Sequence, residues 1–91
     1  MAVSPEHLKD LPGWEIREGT LAKTFHFPSF LDAMEFVGRV AELAEKQKHH
    51  PDILIQYKVV TLRLSTHDAG AITEKDLQLA REIQSLPAAR G

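Results

Sequence analysis

The stretch ILIQYKVVTLRLSTH, residues 53–67, decides the fold of this chain. It is rich in β-branched and aliphatic residues, which favour extended backbone. It is also long for a single strand, since the usual length is about 5–6 residues. The stretch therefore predicts either one long strand or a hairpin near Lys58, although no glycine or asparagine marks a turn there.

The segment WEIREGTLAKTFHF, residues 14–27, predicts two further short strands. Gly19 lies between them and is free to take a positive φ in the turn. Side chains alternate along a strand, so one face of the second strand is apolar but is interrupted by Lys23. The apolar positions on that face are Leu21, Phe25 and Phe27.

Residues 28–48 predict a long helix, with Ser29 as its N-cap. Its apolar residues form two neighbouring stripes, which is wider than one sheet face requires. The additional apolar surface indicates either a broad core face or a contact with another subunit. The first stripe comprises Phe30, Met34, Val37, Ala41 and Ala44, and the second comprises Ala33, Phe36, Val40 and Leu43.

Two other helices are predicted near the ends of the chain. Residues 4–11 predict a short helix with Ser4 as N-cap and Pro5 at its first position. Residues 73–86 predict an amphipathic helix that starts at Thr73 and faces the core with Leu79, Ala80, Ile83 and Leu86. The resulting order α-β-β-α-β-β-α predicts an α+β fold in which helices pack on one face of an antiparallel sheet.

Composition limits the classes of function. A length of 91 residues predicts one domain spanning 1–91. The composition, with 43% hydrophobic and 26% charged residues, is typical of globular proteins. A net charge of −2 with scattered basic residues predicts no direct nucleic-acid partner. The chain has no cysteine, no apolar run of about 20 residues and no signal-peptide pattern. We therefore expect a cytoplasmic protein without a membrane partner.

Polar residues at the ends of the predicted elements are the candidates for chemistry. His49 and His50 follow the long helix, His67 ends the last strand, and Asp76 lies in the first turn of the final helix. A metal site is not favoured, because adjacent residues of an extended chain point to opposite sides. Histidine is suited to proton transfer near neutral pH. From the residues alone, the pair could equally consist of solvated loop side chains.

The ordered set of residues is more specific than any of its members. Three residues separate Glu45 from His49-His50-Pro51, five separate Pro51 from Tyr57, nine separate Tyr57 from His67, and eight separate His67 from Asp76. This pattern resembles the signature of the pterin-4a-carbinolamine dehydratases, also known as dimerisation cofactors of a homeodomain transcription factor. The likeness extends over roughly residues 8–86.

The resemblance implies a hydro-lyase that removes water from a 4a-hydroxytetrahydropterin and needs neither a cofactor nor a metal. By position, His49 and His67 would be the acid–base residues, and His50 would bind and orient the pterin. Asp76 and Glu45 would orient histidines or ligand. The remaining pocket residues would be Trp14, Lys48, Ser65, Thr66 and Asp68.

The resemblance also implies a four-stranded antiparallel sheet, which favours the hairpin near Lys58, and a homodimer or homotetramer. The family often has glycine where this chain has Ala71, so the loop after His67 is expected to differ slightly. A second hypothesis is a non-catalytic assembly module that binds a protein partner through the broad apolar helix.

Overall fold

A computed structural model describes residues 5–66 and 69–87 of the chain. Its strands are β1 (Glu15–Arg17), β2 (Thr20–His26), β3 (Asp52–Gln56) and β4 (Val59–Leu64), and its helices are α1 (Phe30–Gln47) and α2 (Glu74–Gln84). A 3₁₀ turn, Pro5–Leu8, precedes β1. The first predicted helix is thus a single tight turn, which is the form such short helical pieces commonly take. Its proposed N-cap, Ser4, lies outside the described residues.

The four strands form one antiparallel sheet in the order β1-β2-β4-β3. The predicted α+β fold with a four-stranded sheet is confirmed. Residues 53–67 contain a hairpin and not one long strand, because the chain reverses between β3 and β4 at Tyr57 and Lys58. Tyr57 takes φ 58° in the left-handed region, so the turn forms without glycine.

The core lies between one face of the sheet and the two helices. In the central pair of strands, Leu21 is opposite Leu64 and Phe25 is opposite Val60, and all four side chains are buried. Phe36 of α1 packs on Phe25 with ring centroids 4.7 Å apart. From α2, the buried apolar side chains are Leu77, Leu79, Ala80 and Ile83.

Lys23 lies on the apolar face of β2 yet keeps its ammonium group hydrogen-bonded. Its Nζ donates to the carbonyl of Pro12 and to Oε1 of Gln84, both at 2.8 Å. The aliphatic stem stays in the protein while the charge reaches polar partners at the edge. Partial burial lowers the pKa of Lys23 below its usual value. Lys23 therefore fits on the apolar face of β2 without leaving its ammonium group unpaired.

The core covers the second stripe on α1 more fully than the first, although Ala44 of the first stripe is also buried. Ala33, Phe36 and Val40 of the second stripe are buried. In the first stripe, Phe30 is 45% exposed and Met34 is 38% exposed. The helix therefore presents an apolar surface on the outside of this single chain. Across residues 5–66 and 69–87, neither helix combines the length and the apolar character needed to cross a membrane.

Candidate active site

The C-terminal end of α1 sets the direction of the chain at His49 and His50. Lys48 caps the helix in the left-handed region, with φ 54° and ψ 41°. The backbone N–H of Lys48 donates to the carbonyl of Glu45 at 3.3 Å, and that of His49 donates to the carbonyl of Ala44 at 3.0 Å. These bonds close the helix and turn the chain sharply, as left-handed caps do. His49 and His50 therefore leave the helix in a fixed direction.

The two imidazoles have different environments. The side chain of His49 is 13% exposed, and its Nε2 contacts Oδ1 of the fully buried Asp76. The side chain of His50 is 62% exposed, and its Nε2 lies 2.5 Å from Oε2 of Glu45. His49 is thus mostly buried and paired with the carboxylate of Asp76, whereas His50 is exposed and paired with the carboxylate of Glu45.

Asp76 is the centre of the cluster. Besides His49, its carboxylate receives two hydrogen bonds at Oδ2, from Thr66 Oγ1 at 2.9 Å and from the backbone N–H of Thr73 at 2.8 Å. The hydroxyls of Thr66 and Thr73 are also 2.6 Å apart. Asp76 therefore bonds the N-terminus of α2 and contacts His49 at the same time.

The loop that carries His67 begins and ends next to this cluster. The backbone N–H of Thr66 donates to the carbonyl of Ala71 at 2.9 Å, and that of Gly70 donates to the carbonyl of Thr66 at 2.8 Å. The positive φ in the loop, 63°, falls on Gly70, whereas Ala71 is outside the left-handed region. Ala71 thus carries no backbone strain of that kind. His67 and Asp68 lie outside the described residues, and their predicted roles stay predictions.

In the described part of the chain, Trp14 contacts Phe25 and Gln84 rather than His49 or His50. Its indole is 4% exposed, packs edge-on against Phe25, and donates from Nε1 to Oε1 of Gln84 at 3.0 Å. Gln84 ends α2, eight residues beyond Asp76, which is roughly 12 Å along the helix axis. Ser65 directly follows β4 and Lys48 is exposed beside His49. The contact of these side chains with substrate stays a prediction.

Other features of the site had no signal in the sequence. Gln47 at the end of α1 donates from Nε2 to Oε2 of Glu82 on α2, which ties together the two helices that carry His49 and Asp76. Sequence reasoning named Thr66 as a pocket residue and Thr73 as an N-cap, but it missed their contact with each other. Hydroxyl contacts between distant segments have no sequence period that would reveal them.

The hydrogen bonds identify this site more clearly than surface shape does. Two cavities of about 190 Å³ and 300 Å³ lie elsewhere: one against Gly13 and the β1–β2 edge, the other between Glu35, Arg39, Leu86 and Pro87. Within the described part of the chain, no three histidine or carboxylate side chains converge as ligands of one metal ion.

Three comparisons with known proteins agree with this geometry. The sequence profile of the family described as pterin 4 alpha carbinolamine dehydratase matches residues 3–86. Relatives from Thermomicrobium roseum and Mycolicibacterium smegmatis, which carry a pterin-4-alpha-carbinolamine dehydratase name, are each 53% identical over 79 residues. The aligned part covers 87% of this chain, and 85% and 84% of those relatives.

The crystal structure of a transcriptional coactivator/pterin dehydratase from Brucella melitensis is also similar, with a TM-score of 0.88 and 29% identity. That match covers 98% of this chain and 99% of the other. The family match and the named relatives thus identify a dehydratase, an enzyme of the hydro-lyase class. The chain belongs to the pterin-4-alpha-carbinolamine dehydratase family.

Proposed function

We propose that this protein dehydrates a 4a-hydroxytetrahydropterin by histidine acid–base catalysis. The observation that carries the proposal is the contact between His49 and Asp76, a fully buried carboxylate that receives two further hydrogen bonds. A base that is oriented by a third group is the usual arrangement of an activated proton-transfer site. His67 follows Thr66 directly in the sequence, and the Thr66 hydroxyl bonds Asp76, which supports His67 as the second acid–base residue.

The reaction needs two proton transfers and one bond cleavage. One histidine takes the proton from ring nitrogen 5 of the pterin, and the other gives a proton to the hydroxyl on carbon 4a. The C4a–O bond breaks as the electron pair left on nitrogen 5 forms the C4a=N5 double bond. Water and quinonoid dihydropterin leave, so atoms and electrons balance without a metal or a redox cofactor. A separate cytoplasmic reductase then returns the product to tetrahydropterin.

The other side chains serve binding. His50 is exposed and contacts Glu45, which supports a role in holding the pterin ring beside His49. By the family resemblance, Lys48, Ser65, Thr66 and Asp68 would line the pocket. Because His50 sits at the surface and His49 towards the interior, the ring enters from the solvent side and its reacting edge meets His49.

The test is a turnover assay with the purified protein. Freshly generated carbinolamine is mixed with the enzyme, and the formation of quinonoid dihydropterin is followed by absorbance. We expect a clear acceleration over buffer, which is lost in His49→Gln and kept in His26→Gln. His26 ends β2 as an exposed residue without a role in the cluster, so it is a matched control. A folded wild-type protein that gives only the buffer rate refutes the proposal.

We also propose that the chain is a homo-oligomer. β3 is an edge strand with Ile53 and Leu54 exposed, by 36% and 54%. An exposed apolar edge promotes pairing with another strand unless it is covered. The apolar surface of α1 around Phe30 and Met34 offers a second contact. A second copy that continues the sheet or packs on α1 covers these surfaces, and the same α1 surface would serve the alternative, a protein-binding module.

A further inference from the structure

The hydroxyl groups near Asp76 form a directed chain of hydrogen bonds. A carboxylate only accepts hydrogen bonds, so the contact at 2.9 Å uses the single hydroxyl proton of Thr66. The contact between the two hydroxyls at 2.6 Å must then be donated by Thr73. The direction runs from Thr73 to Thr66 to Asp76, and no second proton of Thr66 remains for a substrate.

This chain of hydrogen bonds determines how the carboxylate of Asp76 can bond His49. Oδ2 already receives the Thr66 hydroxyl and the backbone N–H of Thr73, so it is fully engaged. Oδ1 faces Nε2 of His49. A carboxylate has no proton to donate, so Oδ1 is the acceptor in its contact with His49. His49 must therefore donate from Nε2, and in a neutral imidazole the other nitrogen, Nδ1, is then the acceptor.

We propose that Thr66 is a positioning residue that fixes the tautomer of His49, so that His49 exchanges its proton with the substrate through Nδ1. The role of the hydroxyl differs from the pocket-lining role that the sequence suggested for Thr66. The backbone of Thr66, which precedes the segment 67–70, also bonds Gly70 and Ala71 at its far end. One residue thereby links the loop that carries His67 to the carboxylate that holds His49.

The kinetic part of this inference rests on the proposed function, but the tautomer is measurable without turnover. Long-range ¹H–¹⁵N NMR on the ¹⁵N-histidine-labelled protein distinguishes the protonated ring nitrogen from the bare one. The spectrum is recorded at pH 8, where an ordinary imidazole, with a pKa of about 6.5, is neutral. The His49 signals are assigned by their loss in His49→Gln. We expect the proton on Nε2 and a bare Nδ1.

Three variants separate positioning from mere packing. Thr66→Val keeps the shape but removes the donor, so we expect the proton to spread over both ring nitrogens and turnover to fall about ten-fold. Thr66→Ser restores the hydroxyl, and with it both the Nε2–H form and the rate. Thr73→Val removes a hydroxyl from the same cluster but leaves the bond from Thr66 to Asp76, so the tautomer is expected to persist.

Three outcomes overturn the inference. These are a wild-type His49 with its proton on Nδ1, a Thr66→Val protein that keeps the Nε2–H form, and a Thr73→Val protein that loses it to the same degree. A wild-type protein with the Nε2–H form but no dehydration of carbinolamine refutes the proposed function while leaving the tautomer assignment intact. The two failures are therefore distinguishable.

Discussion

At the scale of the residue, one side chain combines stability with chemistry. Asp76 is the buried charged residue of the described core, and three groups of different origin bond its carboxylate. A charged group in the interior is tolerated only when it is paired and hydrogen-bonded. The sequence could identify His49, His50 and Asp76 as candidates by their spacing. It could not show that Thr66 joins them, since such hydroxyl contacts exist only after the chain has folded.

The substitution Asp76→Asn tests the energetic side of this arrangement. The amide keeps the size of the side chain but replaces one acceptor oxygen by a donor, so at least one of the three bonds is lost. We expect the free energy of unfolding to fall by about 1–3 kcal/mol, as measured by urea denaturation.

A matched control for that experiment lies in the same turn of α2. Glu74 is exposed and pairs with the partly exposed Arg81, at 3.3 Å. Glu74→Gln is expected to change the free energy of unfolding by less than about 0.5 kcal/mol, because exposed ion pairs contribute little. Equal losses in Asp76→Asn and Glu74→Gln would contradict the central role given to Asp76.

At the scale of the element, periodicity predicted most of the fold but did not show that Lys48 and Tyr57 take left-handed conformations. The helix over residues 30–47 and the strands around Gly19 follow from apolar spacing and from a glycine that accepts positive φ. Lys48 and Tyr57 also take positive φ, at 54° and 58°, without the residue types that announce it. Lys48 ends α1 and Tyr57 lies in the turn between the paired strands β3 and β4, so residue type alone could not reveal these conformations.

The cap residue of α1 provides a test at this scale. The left-handed conformation of Lys48 is unfavourable for a residue with a side chain but not for glycine. Lys48→Gly is therefore expected to raise the free energy of unfolding by about 1 kcal/mol. The control is Lys46→Gly, two residues earlier and inside the helix, which is expected to lower it by about 1 kcal/mol. Urea denaturation checks both values. Destabilisation of similar size in both variants would show that the side chain of Lys48 matters more than its backbone.

At the scale of the whole molecule, the single chain leaves apolar surface uncovered. The helices cover one face of the sheet, but Phe30 and Met34 of α1 and Ile53 and Leu54 of β3 remain partly exposed. The double stripe on the helix was visible in the sequence, and the structure shows which stripe the core uses. The periodicity of one chain does not show which partner would pack on the other stripe.

A charged substitution on that stripe tests the assembly. Sedimentation of the wild-type protein is expected to give the mass of a dimer or tetramer. Met34→Glu, which places a charge in the proposed helix contact, is expected to shift the distribution towards smaller species. Arg39→Gln, at an exposed polar position of the same helix, leaves the distribution unchanged. A wild-type protein that sediments as a monomer at all concentrations would contradict the proposed assembly.

The central claim is that His49 and Asp76 act as one catalytic unit, and a double-mutant cycle on carbinolamine turnover tests it most directly. kcat/KM is measured for the wild-type protein, His49→Gln, Asp76→Asn and the double variant. Loss of a general acid–base group is expected to cost about 10²–10⁴-fold. If the carboxylate acts through the imidazole, the double variant loses no more than His49→Gln alone. Losses that multiply in the double variant would contradict this account.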